Sequence, residues 1–321
     1  MEIAFGWGAK GKKEKSMKTK SILVAVLMCV MAAVNFASAD TIRGINMDFV
    51  TIGNAGNAGD TRTGTDSIGY PLANPYGCGA VGYNYRIGKY EVTNAQWNAF
   101  TAAAGAPTGN PSYAYDESAY YTGAQQPTNM VSWCEAAQFC NYLTSGDKSK
   151  GAYLFSGDNT NPGDFLGINR NAAVSSYGIA YVIPTEDEWY KAAYYKPDGS
   201  GYSLYANGTD TAPIAGVQSN YNNINGAPWN VGTGTMEQNG TFDMMGNVFE
   251  WNETLVGSNR SIRGGSYLRF TGLTSSYAFY DGPTYYEIYV VGFRVASIPE
   301  PASAILIGAG FFFARLRRRQ S

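Results

Sequence analysis

Three times in the middle of the chain a hydroxyl residue stands three places ahead of a Glu or Gln, at the head of an apolar run. The pairs are Thr93 with Gln96, Ser132 with Glu135, and Thr185 with Glu188. In such a capping box the hydroxyl accepts a hydrogen bond from an orphan N–H of the first helical turn, while the longer side chain reaches back to the capping residue's own N–H. The first box predicts a helix from about Asn94 to Ala104. The second leads into Ala136, Ala137, Phe139 and Leu143; the third follows Pro184 and leads into Trp189, Ala192 and Ala193. Tyr85 to Val92 alternates in the manner of a strand feeding the first helix. Short strands and long polar loops fill the rest, with no repeat of about 20–50 residues. The expected class is therefore α+β, loop-rich, with about three short helices.

Length sets the frame for that domain. The 321 residues allow one large domain or two ordinary ones. Charged residues make up 15% of the chain, against 39 Gly and 25 Tyr, which is a loop-rich globular composition and not a disordered one. Residues 40–80 are rich in Gly, Asn and Thr, and 53–60 read as loop. The basic residues gather at the ends, leaving 13 Lys and Arg against 23 Asp and Glu in residues 40–301. An acidic body of that kind repels phosphate, so no nucleic-acid partner is expected. The chain has no histidine. That excludes Ser-His triads, Cys-His pairs, imidazole zinc sites and two-His iron sites.

Both ends read as addresses. Lys18 and Lys20 precede the apolar run Ile22–Val34, and Ala37-Ser38-Ala39 forms an A-x-A cleavage pattern. Residues 1–39 are thus expected to be a signal peptide, with Met17 as a plausible true start. At the other end Pro299-Glu300-Pro301 precedes an apolar run, Ala302–Ala314, and then Arg315, Arg317, Arg318 and Arg319. Thirteen helical residues rise ~20 Å, short of a bilayer core of ~30 Å, and the Arg cluster should stay cytoplasmic. Residues 298–321 resemble the PEP-CTERM sorting signal. That resemblance implies an exosortase-type processing enzyme as partner, a Gram-negative host making extracellular polysaccharide, and a transient membrane anchor. The exported body would end at the cell surface or outside the cell.

Six motifs in order carry a second resemblance, over 81–297. They are Ile87–Trp97; Pro127 with Val131-Ser132-Trp133; Ile183–Trp189; Asp243–Trp251; Arg263-Gly264-Gly265-Ser266; and Gly292–Ala296. Together they resemble the formylglycine-generating enzyme, or sulfatase-modifying factor, family. The resemblance implies that family's variant of the C-type-lectin-like fold. It also implies an oxidase that uses two thiols and copper just after Gly-Gly-Ser. Ungapped alignment puts Arg269 and Thr274 at the thiol positions, and no Cys follows Cys140. Neither a guanidinium nor a hydroxyl replaces a soft thiolate ligand. No catalytic residue, and no copper, iron or zinc site, is therefore expected.

The resemblance further implies a calcium site built from Asp243 and Glu250 side chains and the carbonyls of Gly246 and Val248, chemistry that suits a hard cation. A second family calcium site maps near Asn220 and Tyr221 and lacks its expected Asp. Cys134 and Cys140 stand six residues apart on a predicted helix, ~9 Å along its axis, too far for a disulfide. They read as small buried residues, with a bridge to Cys78 as the alternative. Glu186, Asp187 and Glu188 read as first-turn helix charges, and Arg263 and Arg294 as buried structural residues. Tyr120-Tyr121, Tyr194-Tyr195 and Tyr285-Tyr286 read as core or rim, able to stack on sugars if exposed. Asn207, Asn239 and Asn252 carry glycosylation sequons. The function expected is a catalytically inactive, calcium-stabilised binding or matrix protein engaging extracellular polysaccharide or envelope proteins. The alternatives are a sulfatase-maturing oxidoreductase and a structural envelope component without ligand.

Overall fold

The structure, a computed structural model, describes residues 38–62, 77–270 and 274–299. Of the expected signal peptide and sorting segment only Ser38, Ala39, Ile298 and Pro299 are described, all four in strands; the rest lies outside the described residues. Among the described residues no helix is long and apolar enough to cross a membrane.

A five-stranded antiparallel sheet forms the floor. It contains β1 (Ser38–Ile42), β2 (Ile45–Ile52), β3 (Tyr85–Gly88), β6 (Ile179–Val182) and β11 (Ala296–Pro299), in the order β1-β2-β3-β11-β6. The composition-defined segment 40–80 thus contributes two strands to it. In β2 Ile45, Met47 and Phe49 are buried and Asn46 exposed, the period-2 pattern of a half-buried strand, until Phe49 and Val50, both buried, shift the alternation by one residue, with Thr51 exposed and Ile52 buried. β3 stops at Gly88, short of the alternation read to Val92. The chain there leaves the sheet, with Lys89 N–H bonded to Asp48 O (2.7 Å) and Val92 N–H to Phe293 O (2.9 Å).

A second sheet has the order β10-β7-β8-β9, from β7 (Phe249–Val256), β8 (Asn259–Arg263), β9 (Tyr280–Gly282) and the short β10 (Val291–Gly292), which pairs parallel to β7. A small hairpin joins β4 (Tyr153–Phe155) to β5 (Phe165–Ile168).

Among the described residues four α-helices pack on these sheets where about three were expected: α1 (Asn94–Ala104), α2 (Trp133–Ser145), α3 (Arg170–Tyr177) and α4 (Glu186–Tyr194). All three capping boxes form, at Thr93, Ser132 and Thr185, with both hydrogen bonds present. The unexpected α3 is capped by Asn169, which accepts from Ala172 N–H (2.9 Å), and ends at a left-handed Gly178. It lacks the reciprocal Glu or Gln, so it leaves no box in the sequence.

Trp97, Phe100, Phe139 and Phe293 interlock mostly edge to face between α1, α2 and the chain leading into β11, an arrangement aromatic quadrupoles favour. α2 is buried on nearly every side. Its Cys134 and Cys140 are buried and free, as is Cys78.

Candidate functional site

The turn 243–248 is the knot of the molecule. Asp243 and Asn247 adopt left-handed backbone angles, as does Gly246. At Gly246 a Cβ would overlap the carbonyl oxygen of Asn220. Gly246 N–H donates to Gly264 O (2.7 Å) and Tyr267 N–H to Asn247 O (2.9 Å). Those bonds stitch the Asp243–Trp251 motif to the Gly-Gly-Ser turn that follows β8.

Around this knot the family motifs place buried charges. Arg294 and Glu250 are both fully buried and joined by two hydrogen bonds, 2.5 and 2.6 Å, while Trp189 Nε1 donates to Glu250 (2.7 Å). Arg263 pairs with Glu186, and Arg170 with Glu188 and Glu253. Glu186 and Glu188 therefore do more than complement a helix dipole: Glu186 neutralises the buried guanidinium of Arg263, and Glu188 the partly buried one of Arg170. Arg263 and Arg294 are structural, as their motif positions suggested. Glu91 accepts from Asn247 Nδ2 (2.6 Å) and Val248 N–H (3.1 Å). Burial, with Asp243 and Glu250 nearby, pushes its carboxyl well above the usual range. Burial also raises Asp243, and lifts Glu237 to about 8.

The expected calcium donors sit inside this network. Asp243 accepts from Trp229 Nε1 (2.8 Å) and Gly232 N–H (2.7 Å), one to each oxygen. Glu250 has both oxygens on Arg294. A calcium ion wants about six to eight oxygens free to point at it. As placed, the two carboxylates do not fit one, because protein donors occupy them and a guanidinium already supplies the positive charge. Among the described residues no group of three or more Cys, Asp or Glu could hold a metal ion. Asn220, from the second mapped site, is buried and bonded to Ala227, Asn225 and Asn247.

Arg269 and Thr274, the residues that ungapped alignment puts at the family's thiol positions, lie in different surroundings. Arg269 is exposed on a turn, its N–H on Ser266 O (3.0 Å) and its carbonyl accepting from Asn222 N–H (2.6 Å). Thr274 is fully buried. Burial pushes the Cys134 thiol up to about 11 and the Cys140 and Cys78 thiols up as well, so none supplies a thiolate at neutral pH. Of the sequons, Asn239 and Asn252 are buried and closed to modification.

Beside Gly-Gly-Ser a tyrosine surface lies over one buried tyrosine. The residue after Ser266 is Tyr267, whose hydroxyl lies 2.7 Å from that of Tyr121. Tyr121 packs edge-on against Tyr120, which packs against Tyr289 at 5.6 Å between ring centres. Tyr113 meets Tyr285 at 5.1 Å, and Tyr285 meets Tyr286. The segments 113–121 and 285–289 thus touch twice and form one continuous face. Tyr120 is 69% and Tyr113 54% exposed. Buried Asn129 fixes the backbone beneath: its Oδ1 accepts from the N–H groups of Tyr120 (2.8 Å) and Tyr121 (3.1 Å), and its Nδ2 donates to Tyr121 O (2.8 Å). Neither 113–121 nor 283–290 contains Lys or Arg, whereas Asp116, Glu117 and Glu287 lie within them. The doublets at 120 and 285 were legible as rim candidates. Tyr113, Tyr267 and Tyr289 were not, though the density of Tyr in both segments is a signal. Tyr194, by contrast, is core.

A separate cleft of about 460 Å³ lies between the β1–β2 turn and α1, lined by Asn46, Asp48, Tyr90, Gln96 and Gln125 among others. Gln96 is committed there to the helix cap and to Asn46 O.

Comparison with known proteins agrees with the framework. The sulfatase-modifying factor enzyme 1-like domain model matches residues 57–298. A chaperone protein LppX of Paenibacillus barcinonensis is 27% identical over 189 residues, 52% of this chain and 61% of that protein, so the chain spans about three-fifths of that relative. Treponema denticola variable protein 1 superposes with a TM-score of 0.56 at 21% identity, covering 84% of this chain and all of that one. PvdO from Pseudomonas aeruginosa gives 0.57 at 16% identity, covering 83% and 99%. With a mixed α/β fold matching over most of its length, and motifs forming the buried framework, the chain belongs to the sulfatase-modifying factor enzyme 1-like domain family.

Proposed function

We propose that this protein is a non-catalytic binding domain, exported to the cell surface, that engages neutral extracellular polysaccharide through its tyrosine face. What supports the reading is the surface beside Gly-Gly-Ser: ungapped alignment puts Arg269 and Thr274 where the family oxidase has thiols, and the adjoining surface presents Tyr121, Tyr120 and Tyr289 over the buried Tyr267. Tyrosines give large, rigid, amphipathic contact area at low entropic cost. Their rings suit the apolar faces of sugars and their hydroxyls the polar edges. The absence of Lys and Arg from both segments, with three carboxylates present, argues against polyanionic glycans and nucleic acid.

Topology supports display. In the main sheet β1 and β11 run in opposite directions, so the chain enters β1 from the side towards which β11 leaves. The chain reaches β11 from the tyrosine segment by way of Val291–Val295, so it runs away from the face before it exits at Pro299. Secretion through the N-terminal segment, and sorting by an exosortase-type enzyme through the C-terminal one, would then leave the face pointing outward. The fold in this reading is the lectin-like variant implied by the motifs, serving as a scaffold.

The test is a neutral-glycan array probed with the protein and with a Tyr120→Ala/Tyr289→Ala variant. Binding by the first and its loss in the second is the expected result. No binding to any neutral glycan, or equal binding by a still-folded variant, would overturn the reading.

A further inference from the structure

The cleft of about 460 Å³ between the β1–β2 turn and α1 falls in the size range of small-ligand sites, about 300–1,000 Å³. Its walls are pinned to the rest of the fold and to one another. Arg43, in the β1–β2 turn, donates from Nε to Leu143 O (3.2 Å) and from Nη2 to Thr144 O (3.1 Å) at the end of α2. Gln96 Nε2, on α1, donates to Asn46 O (2.7 Å) on β2. The loop that carries Gln125 is held from two sides, by Ala95 N–H on Ala124 O and by Val231 N–H on Gln125 O, both 2.9 Å.

Within that fixed frame the lining keeps polar groups uncommitted. The Asp48 carboxylate, the Gln125 amide and the Tyr90 hydroxyl make no hydrogen bond to another described residue. Asn46 is oriented by Thr41 Oγ1, which donates to its Oδ1 (2.7 Å) and leaves its Nδ2 donors to spare. The cleft thus offers a two-oxygen acceptor, amide donors and a hydroxyl beside the apolar surface of Ala95, Ala99 and Val231.

Charge decides what such a cleft can take. Asp48 repels an anion. The N–H groups that open α1, which would otherwise attract one, are all taken: Asn94 by Gln126 O, Ala95 by Ala124 O, Gln96 by Thr93 Oγ1 and Trp97 by Thr93 O. An ammonium is disfavoured too, because Lys89 Nζ already lies over the Tyr90 ring (5.3 Å) and the Phe242 ring (5.4 Å) and repels a second cation. A neutral ligand rich in hydroxyls meets neither obstacle. A carboxylate accepts from two adjacent hydroxyls at once, and hydrogen bonds to an ionised group are the strong ones.

We propose that this cleft is a second binding site, which takes one neutral hexose unit through Asp48, Gln125, Asn46 and Tyr90. The site shares no lining residue with the tyrosine face and does not depend on that face binding anything.

The test is a titration of the intact, isotope-labelled protein with glucose, galactose and mannose, following the side-chain amide signals of Gln125 and Asn46 by NMR. At least one hexose should shift both signals saturably. Asp48→Ala should weaken that affinity about tenfold or more and leave the melting temperature unchanged, since Asp48 bonds to no protein donor. The Tyr120→Ala/Tyr289→Ala variant should titrate as the native protein does. No saturable shift with any of the three hexoses, or equal affinity in Asp48→Ala, would overturn the site. So would a saturable shift of the same signals by methylammonium or inorganic phosphate in place of the hexoses. A blank glycan array with the hexose shift present sinks the tyrosine-face reading alone. Array binding lost in the tyrosine variant, with no hexose shift, sinks the cleft alone.

Discussion

Around Glu250 the chain buries a guanidinium, four carboxylates and two tryptophans, and joins them by directional bonds. Around Tyr120 it exposes rings that touch one another and little else. The first region holds the family motifs: Glu91 from the first, Trp189 from the third, the 243–251 turn, and Arg294 from the last. The second holds none of them except by adjacency through Tyr267. The motifs that make the family recognisable therefore specify a framework, and the surface that meets other molecules is free to differ. A match to them is evidence of fold and says little about chemistry.

That contrast can be broken, beginning where substitution should cost the most stability. Arg294→Met would strand Glu250 among Glu91, Glu237 and Asp243 with no cation. Loss of a partner in a buried pair costs about 3–5 kcal/mol, so chemical denaturation should show a large drop or failure to fold. Gly246→Ala adds a Cβ against Asn220 O in a left-handed backbone, for a loss of about 1–3 kcal/mol read by the same method.

Next comes pH. Glu237 is held neutral by burial, at about 8 against 4.5 unfolded; Glu91 and Asp243 shift the same way. A raised acid stabilises most below its unfolded value and loses that contribution as pH rises towards its folded one. The melting temperature should decline from pH 5 to 8, and Glu237→Gln should flatten the decline. A melting temperature that climbs across that range would mean the carboxylates are ionised in the fold. On the tyrosine face, Tyr120→Ala with Tyr289→Ala should change stability by no more than about 0.5 kcal/mol per site while abolishing glycan binding. Smallest of all is calcium: with Asp243 and Glu250 satisfied by protein donors, millimolar calcium or a chelator should leave the melting curve in place, and a clear upward shift with calcium would show that the network opens to a metal.

Legibility in the sequence follows the same division. Capping boxes are local, since the hydroxyl and the Glu or Gln sit three residues apart, so the starts of α1, α2 and α4 could be placed, and for α1 the end as well. α3 was hidden because Asn169 caps alone, and β1 and β2 because a Gly- and Asn-rich composition masked the alternation from Ile45 to Ile52. The site was harder. Asp243 and Glu250 were visible as carboxylates, but their partners Trp229 and Arg294 stand 14 and 44 positions away. Only the fold reveals that those oxygens are taken. The tyrosine face is likewise the product of two segments more than 150 residues apart in the sequence, which no local pattern records.

The most direct trial of the account is to incubate the purified protein with copper and a Cys-x-Pro-x-Arg peptide and follow the peptide cysteine by mass spectrometry. The account predicts a cysteine that stays a cysteine. Its conversion to formylglycine above a protein-free blank would contradict the claim that this framework has been retained without its chemistry.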